Sequence, residues 1–164
     1  MRAASATLPA SGYLEDGVHR LPVRIYYEDT DAGGIVYHAN YLRYLERGRS
    51  ELLRCLGIDH AQAWSVGNAD GRMGFAVQRV ELEFRMPAML DDALIVESTV
   101  EAVGAASVQA RQAILRSEET IATARVRVAL VDAQGRPRRL PRLWKDRLSA
   151  LVPVATECPE LRAK

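Results

Sequence analysis

The sequence predicts an α+β fold in which an antiparallel sheet lies against one long helix. Three observations lead there. The run "TIATARVRVALVD" alternates, with Ala122, Ala124, Val126, Val128 and Leu130 on one face and Thr123, Arg125 and Arg127 on the other. In "NYLRYLERGRSELLRCLG", Leu42, Leu45, Leu52, Leu53 and Leu56 fall on one stripe at helical spacing. Finally, strand-like segments follow one another with only short turns between them, which makes neighbours antiparallel. One long apolar helix must then cover the buried face of that sheet.

Taken in order, residues 1–20 read as a flexible N-terminal arm. Its small residues include no apolar h-region, so it does not read as a signal peptide. "LPVRIYY" reads as a short strand, with Val23, Ile25 and Tyr27 on one face. The long helix follows, with Asn40 as its N-cap and Gly57 as its C′ stop. Gly48 inside it costs roughly 1 kcal/mol relative to Ala, a cost consistent with close approach to a sheet. "IDHAQAWSVG" reads as a shorter helical piece and "NADGRMG" as a loop. "FAVQRVELEFRM", "ALIVESTVEAVG", "ASVQARQAILR" and "TIATARVRVALVD" are strands, with a break at Pro87, a turn at "LDD" and another at "AQGRP". "LPRLWKDRLSALV" closes the domain as a short helix. The expectation is one domain over residues 21–152 and a C-terminal tail over 153–164.

Composition narrows the function classes. The chain has 164 residues, 48% of them hydrophobic and 26% charged, as in ordinary globular domains. A formal net charge of +1 supplies no strong field toward nucleic acid or an anionic membrane. No apolar stretch approaches the ~20 residues of a membrane span. Two cysteines, Cys55 and Cys158, do not make a disulfide framework and suit a reducing, cytoplasmic compartment.

The chemistry concentrates in "EDTDAGGIVYHANY", Glu28 to Tyr41, between the first strand and the helix. Asp29, Asp31 and the glycine pair resemble the start of a calcium loop. The twelfth position is Asn40, however, where a bidentate glutamate is required. A magnesium-dependent aspartate phosphatase needs a parallel sheet, which the strand order excludes. Neither G-x-G-x-x-G nor G-K-[ST] is present, so a nucleotide loop is not indicated. A plain turn built by Asp, Thr and Gly stays open. So does a catalytic site, in which a carboxylate faces the free amides of the helix start and those amides stabilise an oxyanion. No metal or cofactor is expected.

The run "VRIYYEDTDAGGIVYHANYLRYLERGRSELL" resembles the signature of hotdog-fold acyl-CoA thioesterases of the 4-hydroxybenzoyl-CoA thioesterase type, and within them the Tol–Pal-associated branch. The resemblance implies a curved antiparallel sheet wrapped around one long helix, paired into homodimers or homotetramers. It implies hydrolysis of acyl-CoA to free acid and CoA. Asp31 matches the family's catalytic aspartate, as nucleophile or general base, and His38 lies at the active site beside backbone amides that polarise the thioester carbonyl. Tyr37, Asn40 and Tyr41 are then expected to bind substrate.

Asp29 is expected to bond the loop backbone. Glu46 and Glu51 read as solvated helix pairs, with Glu46 a distant second catalytic candidate. His19 is expected to face solvent and His60 to be structural. "GRPRRLPR" offers Arg138 and Arg139 to the CoA phosphates, or simply to water; Arg72 is weaker still. Trp64 and Trp144 read as core or interface. Two competing readings are a scaffold protein binding acyl thioesters or acyl carrier protein without turnover, and a hotdog dehydratase. The latter needs a histidine base in a different context.

Overall fold

The computed structural model describes residues 11–59, 63–64 and 71–153. Six strands form one sheet in the order β1-β2-β4-β5-β6-β3, with every neighbouring pair antiparallel. The strands are β1 Tyr13–Glu15, β2 Val18–Arg24, β3 Met73–Phe84, β4 Ala93–Val103, β5 Ser107–Arg116 and β6 Glu119–Asp132. The long helix α1 spans His38–Cys55 and the short helix α2 spans Arg142–Ser149. The α+β hotdog arrangement expected from the sequence is the one found.

The four strands read from alternation are β3 to β6. On β6, Ala122, Ala124, Val126 and Leu130 are buried, and Arg125 and Arg127 are exposed. The start of the chain differs from expectation. The arm drawn through residue 20 already contains β1 and the first residues of β2. Asp16 and Gly17 join them with φ of 50° and 76°, the pair of positive values that a two-residue hairpin turn demands. His19, expected to face solvent, is fully buried on β2, paired with Ser98 of β4. Its Nε2 lies 2.8 Å from the Ser11 carbonyl oxygen. The strand also ends sooner than "LPVRIYY" suggested. Ile25 is buried, but Tyr27 opens a 3-10 turn, Tyr27–Asp29, and is 82% exposed.

Helix α1 lays Tyr41, Tyr44, Leu45, Gly48 and Leu52 against the sheet. Leu42, expected on that stripe, faces outward. The C-terminus is a Schellman motif: Ile58 N–H donates to Leu53 O and Gly57 N–H to Arg54 O, each at 2.9 Å. Arg147 of α2 donates to the Leu56 and Gly57 carbonyls, tying the short helix to the end of the long one. Trp144 of α2 stacks on Phe75 of β3, as a core role requires. Trp64 packs beside Gly74 while half exposed. His60, Cys158, most of "IDHAQAWSVG" and the tail beyond residue 153 lie outside the described residues.

Candidate active site

Thr30 and Val36 form an antiparallel bridge, so residues 30–36 make a miniature hairpin. At its tip Gly34 N–H donates to Asp31 O at 3.0 Å, and Asp31 N–H to Ile35 O at 2.9 Å. Gly34 has φ of +75°, which a residue with a Cβ adopts reluctantly. The Asp31 side chain is exposed, and its Oδ1 accepts the Gly33 N–H at 2.7 Å. One oxygen is thereby oriented and the other left to solvent.

Asp29 has a different task. It is buried, and its Oδ2 accepts the Tyr26 N–H at 2.9 Å, within a capping box on the 3-10 turn. Its carbonyl accepts from Tyr37 N–H and from Asn40 Nδ2, both at 2.9 Å. The acid pair is thus divided: Asp29 builds the loop and Asp31 is presented by it.

The hairpin is fastened to the sheet through the connection between β3 and β4. Val36 N–H donates to Ala88 O at 2.8 Å, and Ala88 N–H donates to the Tyr41 hydroxyl at 2.9 Å. Burial pushes the pKa of the Tyr41 hydroxyl up, and that of Tyr44 further up, where the neighbouring Asp29 adds to burial. Arg116 braces the same connection, donating to Asp92 Oδ2 at 3.0 Å and to Pro87 O at 3.2 Å. The Arg116–Asp92 pair was missed in the sequence. "LDD" signalled a turn, but nothing local pointed to an arginine 24 residues later.

The helix starts at His38, with Tyr37 as N-cap, three residues before the N-cap expected at Asn40. Asn40 therefore sits inside the first turn, and its side chain bonds Asp29 rather than capping. Tyr37 N–H goes to Asp29 O and Asn40 N–H to Tyr37 O, which leaves the His38 and Ala39 amides without an intrahelical acceptor. The helix dipole adds positive potential there. The Tyr37 and His38 rings are exposed and in contact, centroids 4.4 Å apart. Among the described residues no hydrogen bond joins Asp31 to His38. They are neighbours through the backbone: Asp31 is two residues, about 7 Å of extended chain, beyond the Asp29 that bonds Tyr37.

Four of the residues expected to bind substrate, Asn40, Tyr41, Arg138 and Arg139, lie away from the exposed face of the hairpin. Asn40 and Tyr41 are buried, with Asn40 Nδ2 donating to Asp29 O and the Tyr41 hydroxyl accepting from Ala88 N–H, so both brace the loop. Arg138 and Arg139 are not brought to the hairpin within one chain. They follow β6, which begins near Pro87 through the Arg116–Glu119 pair and ends at Asp132, roughly 40 Å of strand away. Arg138 N–H pairs back on Leu130 O. Arg139 and Arg72 are exposed. Glu46 is exposed on α1, accepting from Ser50 Oγ at 2.7 Å. Among the described residues no cluster of His, Cys, Asp and Glu could hold a metal ion.

Comparison with known proteins bears on the family of the chain. Residues 26–160 match the model of the thioesterase-like superfamily. The acyl-CoA thioesterase YbgC of Haemophilus influenzae is 39% identical over 117 residues, covering 71% of this chain and 83% of that protein. The Escherichia coli acyl-CoA thioester hydrolase YbgC is 39% identical over 125 residues, covering 75% and 90%. Among solved structures, a probable thioesterase from Bartonella henselae superposes with a TM-score of 0.70 at 37% identity, covering 76% of this chain and 99% of that one.

Proposed function

This chain belongs to the thioesterase-like superfamily, and we propose that it opens acyl-CoA thioesters with Asp31 as the reacting carboxylate. It is an enzyme of the acyl-CoA thioesterase class, a thiolester hydrolase. The observation that carries the assignment of Asp31 is its setting. The carboxylate is exposed on a short hairpin, fixed through one oxygen by Gly33 N–H, beside a helix start where, among the described residues, the His38 and Ala39 amides have no backbone acceptor.

The thioester carbonyl oxygen points at the His38 and Ala39 amides. Asp31 either attacks the carbonyl carbon or takes a proton from a water that does so. The tetrahedral oxyanion is held by the amides, and one such donor is typically worth about 2.7–4 kcal/mol in the transition state. Collapse breaks the C–S bond and CoA leaves as thiolate, a leaving group stable enough to need no strong general acid. On the nucleophilic route water then hydrolyses the acyl–Asp31 anhydride. His38 and Tyr37 flank the carbonyl at the helix start.

Replacing Asp31 with Asn tests this directly. Thiol release from acyl-CoA falls by about 10²–10⁴-fold, while circular dichroism and melting temperature stay native. Undiminished hydrolysis by a folded Asp31→Asn protein would sink the assignment. Label found in the Asp31 side chain after single-turnover hydrolysis in heavy-oxygen water would identify the nucleophilic route, since it arises only when water opens the anhydride at the aspartyl carbonyl.

The reading extends to a cytoplasmic homodimer or homotetramer of the Tol–Pal-associated branch, with acyl carrier protein as a second source of acyl thioester. The motif resemblance and the YbgC relatives support the branch. Among the described residues no helix is long and apolar enough to cross a membrane. For self-association the support is the sheet edge. β3 is a twelve-residue edge strand whose Val77, Val80 and Phe84 are 53%, 37% and 49% exposed. A long apolar edge of this kind invites pairing with a second copy.

A further inference from the structure

We infer that the cavity between α1 and the sheet selects a short acyl group ending in a carboxylate, read by Arg49. The inference rests on the thioesterase reading and names the substrate class of that site. The cavity measures about 160 Å³. Leu53, Phe75, Val77, Val108, Val126 and Leu148 are among the apolar side chains that line it. A cavity of about 150 Å³ with similar walls holds one benzene ring, so the space suits roughly six carbons. The non-apolar lining residues, Glu46, Arg49 and Ser50, all come from one stretch of α1.

Of these three, Arg49 is the group with capacity to spare. Glu46 and Ser50 bond each other. Arg49 is half-buried, and one of its Nη1 protons goes to Gln112 Oε1 at 2.7 Å. Gln112 is itself held from behind. Its Nε2 donates to Leu45 O at 2.9 Å and to Ser98 Oγ at 2.7 Å, and both Gln112 and Ser98 are buried. The guanidinium is thus aimed by a chain of buried hydrogen bonds. A guanidinium carries five N–H donors, and among the described residues no carboxylate lies within ion-pair distance of this one. Burial lowers its pKa by more than the nearby Glu46 raises it, so the cation keeps a desolvation cost that an anion in the cavity would offset. An arginine fork fits a carboxylate through two parallel bonds.

Exposed Val77 and Glu46 stand at the mouth of the cavity. Antiparallel pairing of two β3 edges sets the Met73 end of one strand against the Phe84 end of the other. The hairpin bearing Asp31 is fastened beside that second end, through Ala88. The partner's Asp31 then stands over this mouth, with the acyl chain running inward to Arg49.

The test is steady-state hydrolysis of hexanoyl-CoA, adipoyl-CoA and palmitoyl-CoA by the wild-type protein and by Arg49→Met and Arg49→Lys. Adipoyl-CoA is expected to exceed hexanoyl-CoA in kcat/KM by tenfold or more, with palmitoyl-CoA the poorest. In Arg49→Met the adipoyl-to-hexanoyl ratio falls by at least tenfold. In Arg49→Lys, which keeps charge but loses the fork, it falls by less. Equal ratios in wild type and variants, or a preference for palmitoyl-CoA, would overturn the proposal. A second readout needs no turnover: adipamic acid raises the melting temperature of the wild-type protein and hexanamide does not, and Arg49→Lys weakens that response. If no acyl-CoA is hydrolysed, the thioesterase reading fails, and the presence or absence of the adipamic acid shift alone decides the pocket. If Arg49→Met does not fold, Arg49→Lys decides.

Discussion

Asn40 donates its side-chain N–H to the Asp29 carbonyl at 2.9 Å, inside the protein. That bond links the first turn of α1 to the base of the hairpin carrying Asp31. Replacing Asn40 with Ala removes it and leaves a small void. Stability should drop by about 1–2 kcal/mol in urea unfolding. The hairpin also loses one of the two bonds from the Asp29 carbonyl to the helix start, so kcat should fall further than KM rises, because a small misplacement of a reacting group is expensive. A variant with altered stability but unchanged kcat would show that Asn40 does not position Asp31. This division of labour was half legible in the sequence. The polar run marked the place, and Asp29 was read as a backbone ligand. The roles of Asn40 and Tyr41 were not legible, because their partners, Asp29 O and Ala88 N, are fixed by how the hairpin folds back on the helix and on the β3–β4 connection.

Helix α1 approaches the sheet closely at Gly48. A Cβ placed there would meet Val96 Cγ1 at 2.8 Å, Ser98 Oγ at 3.0 Å and Gln112 Nε2 at 3.3 Å. The glycine that looked costly by helix propensity is therefore what lets helix and β4 touch, as its position on the apolar stripe suggested. Gly48→Val should destabilise by roughly 1–3 kcal/mol through overpacking, even though it removes a flexible residue. It should also disturb the Ser98–Gln112–Arg49 chain that passes directly beneath. Chemical denaturation checks the first point, and an unchanged or raised midpoint would refute it. Most elements were legible because their periods are strong, two for β6 and 3.6 for α1. The β1–β2 hairpin was not, although "DG" was its signal. Tyr13–Glu15 is only three residues long and none of them is buried, so no buried alternation marked it.

At the scale of the whole molecule the two sheet edges are unlike. β1 is short, a common way to blunt an edge. β3 is long, and Val77, Val80 and Phe84 are left bare where it runs past the helix. The sequence could give the strands but not this asymmetry, since sheet order depends on which strands pair at a distance. A two-fold pairing of β3 with itself would extend the sheet, cover those side chains and set each Asp31 hairpin against the neighbouring cavity. Val80 is exposed, so Val80→Lys should leave the chain folded while placing a charge on the paired edge. Light scattering should then report the mass of a single chain where the wild-type protein gives a multiple of it. Thiol release should fall with the loss of assembly and recover as protein concentration is raised, because the site would need both copies. A Val80→Lys protein that stays associated, or that is monomeric yet fully active at all concentrations, would place the working site within one chain and the association elsewhere.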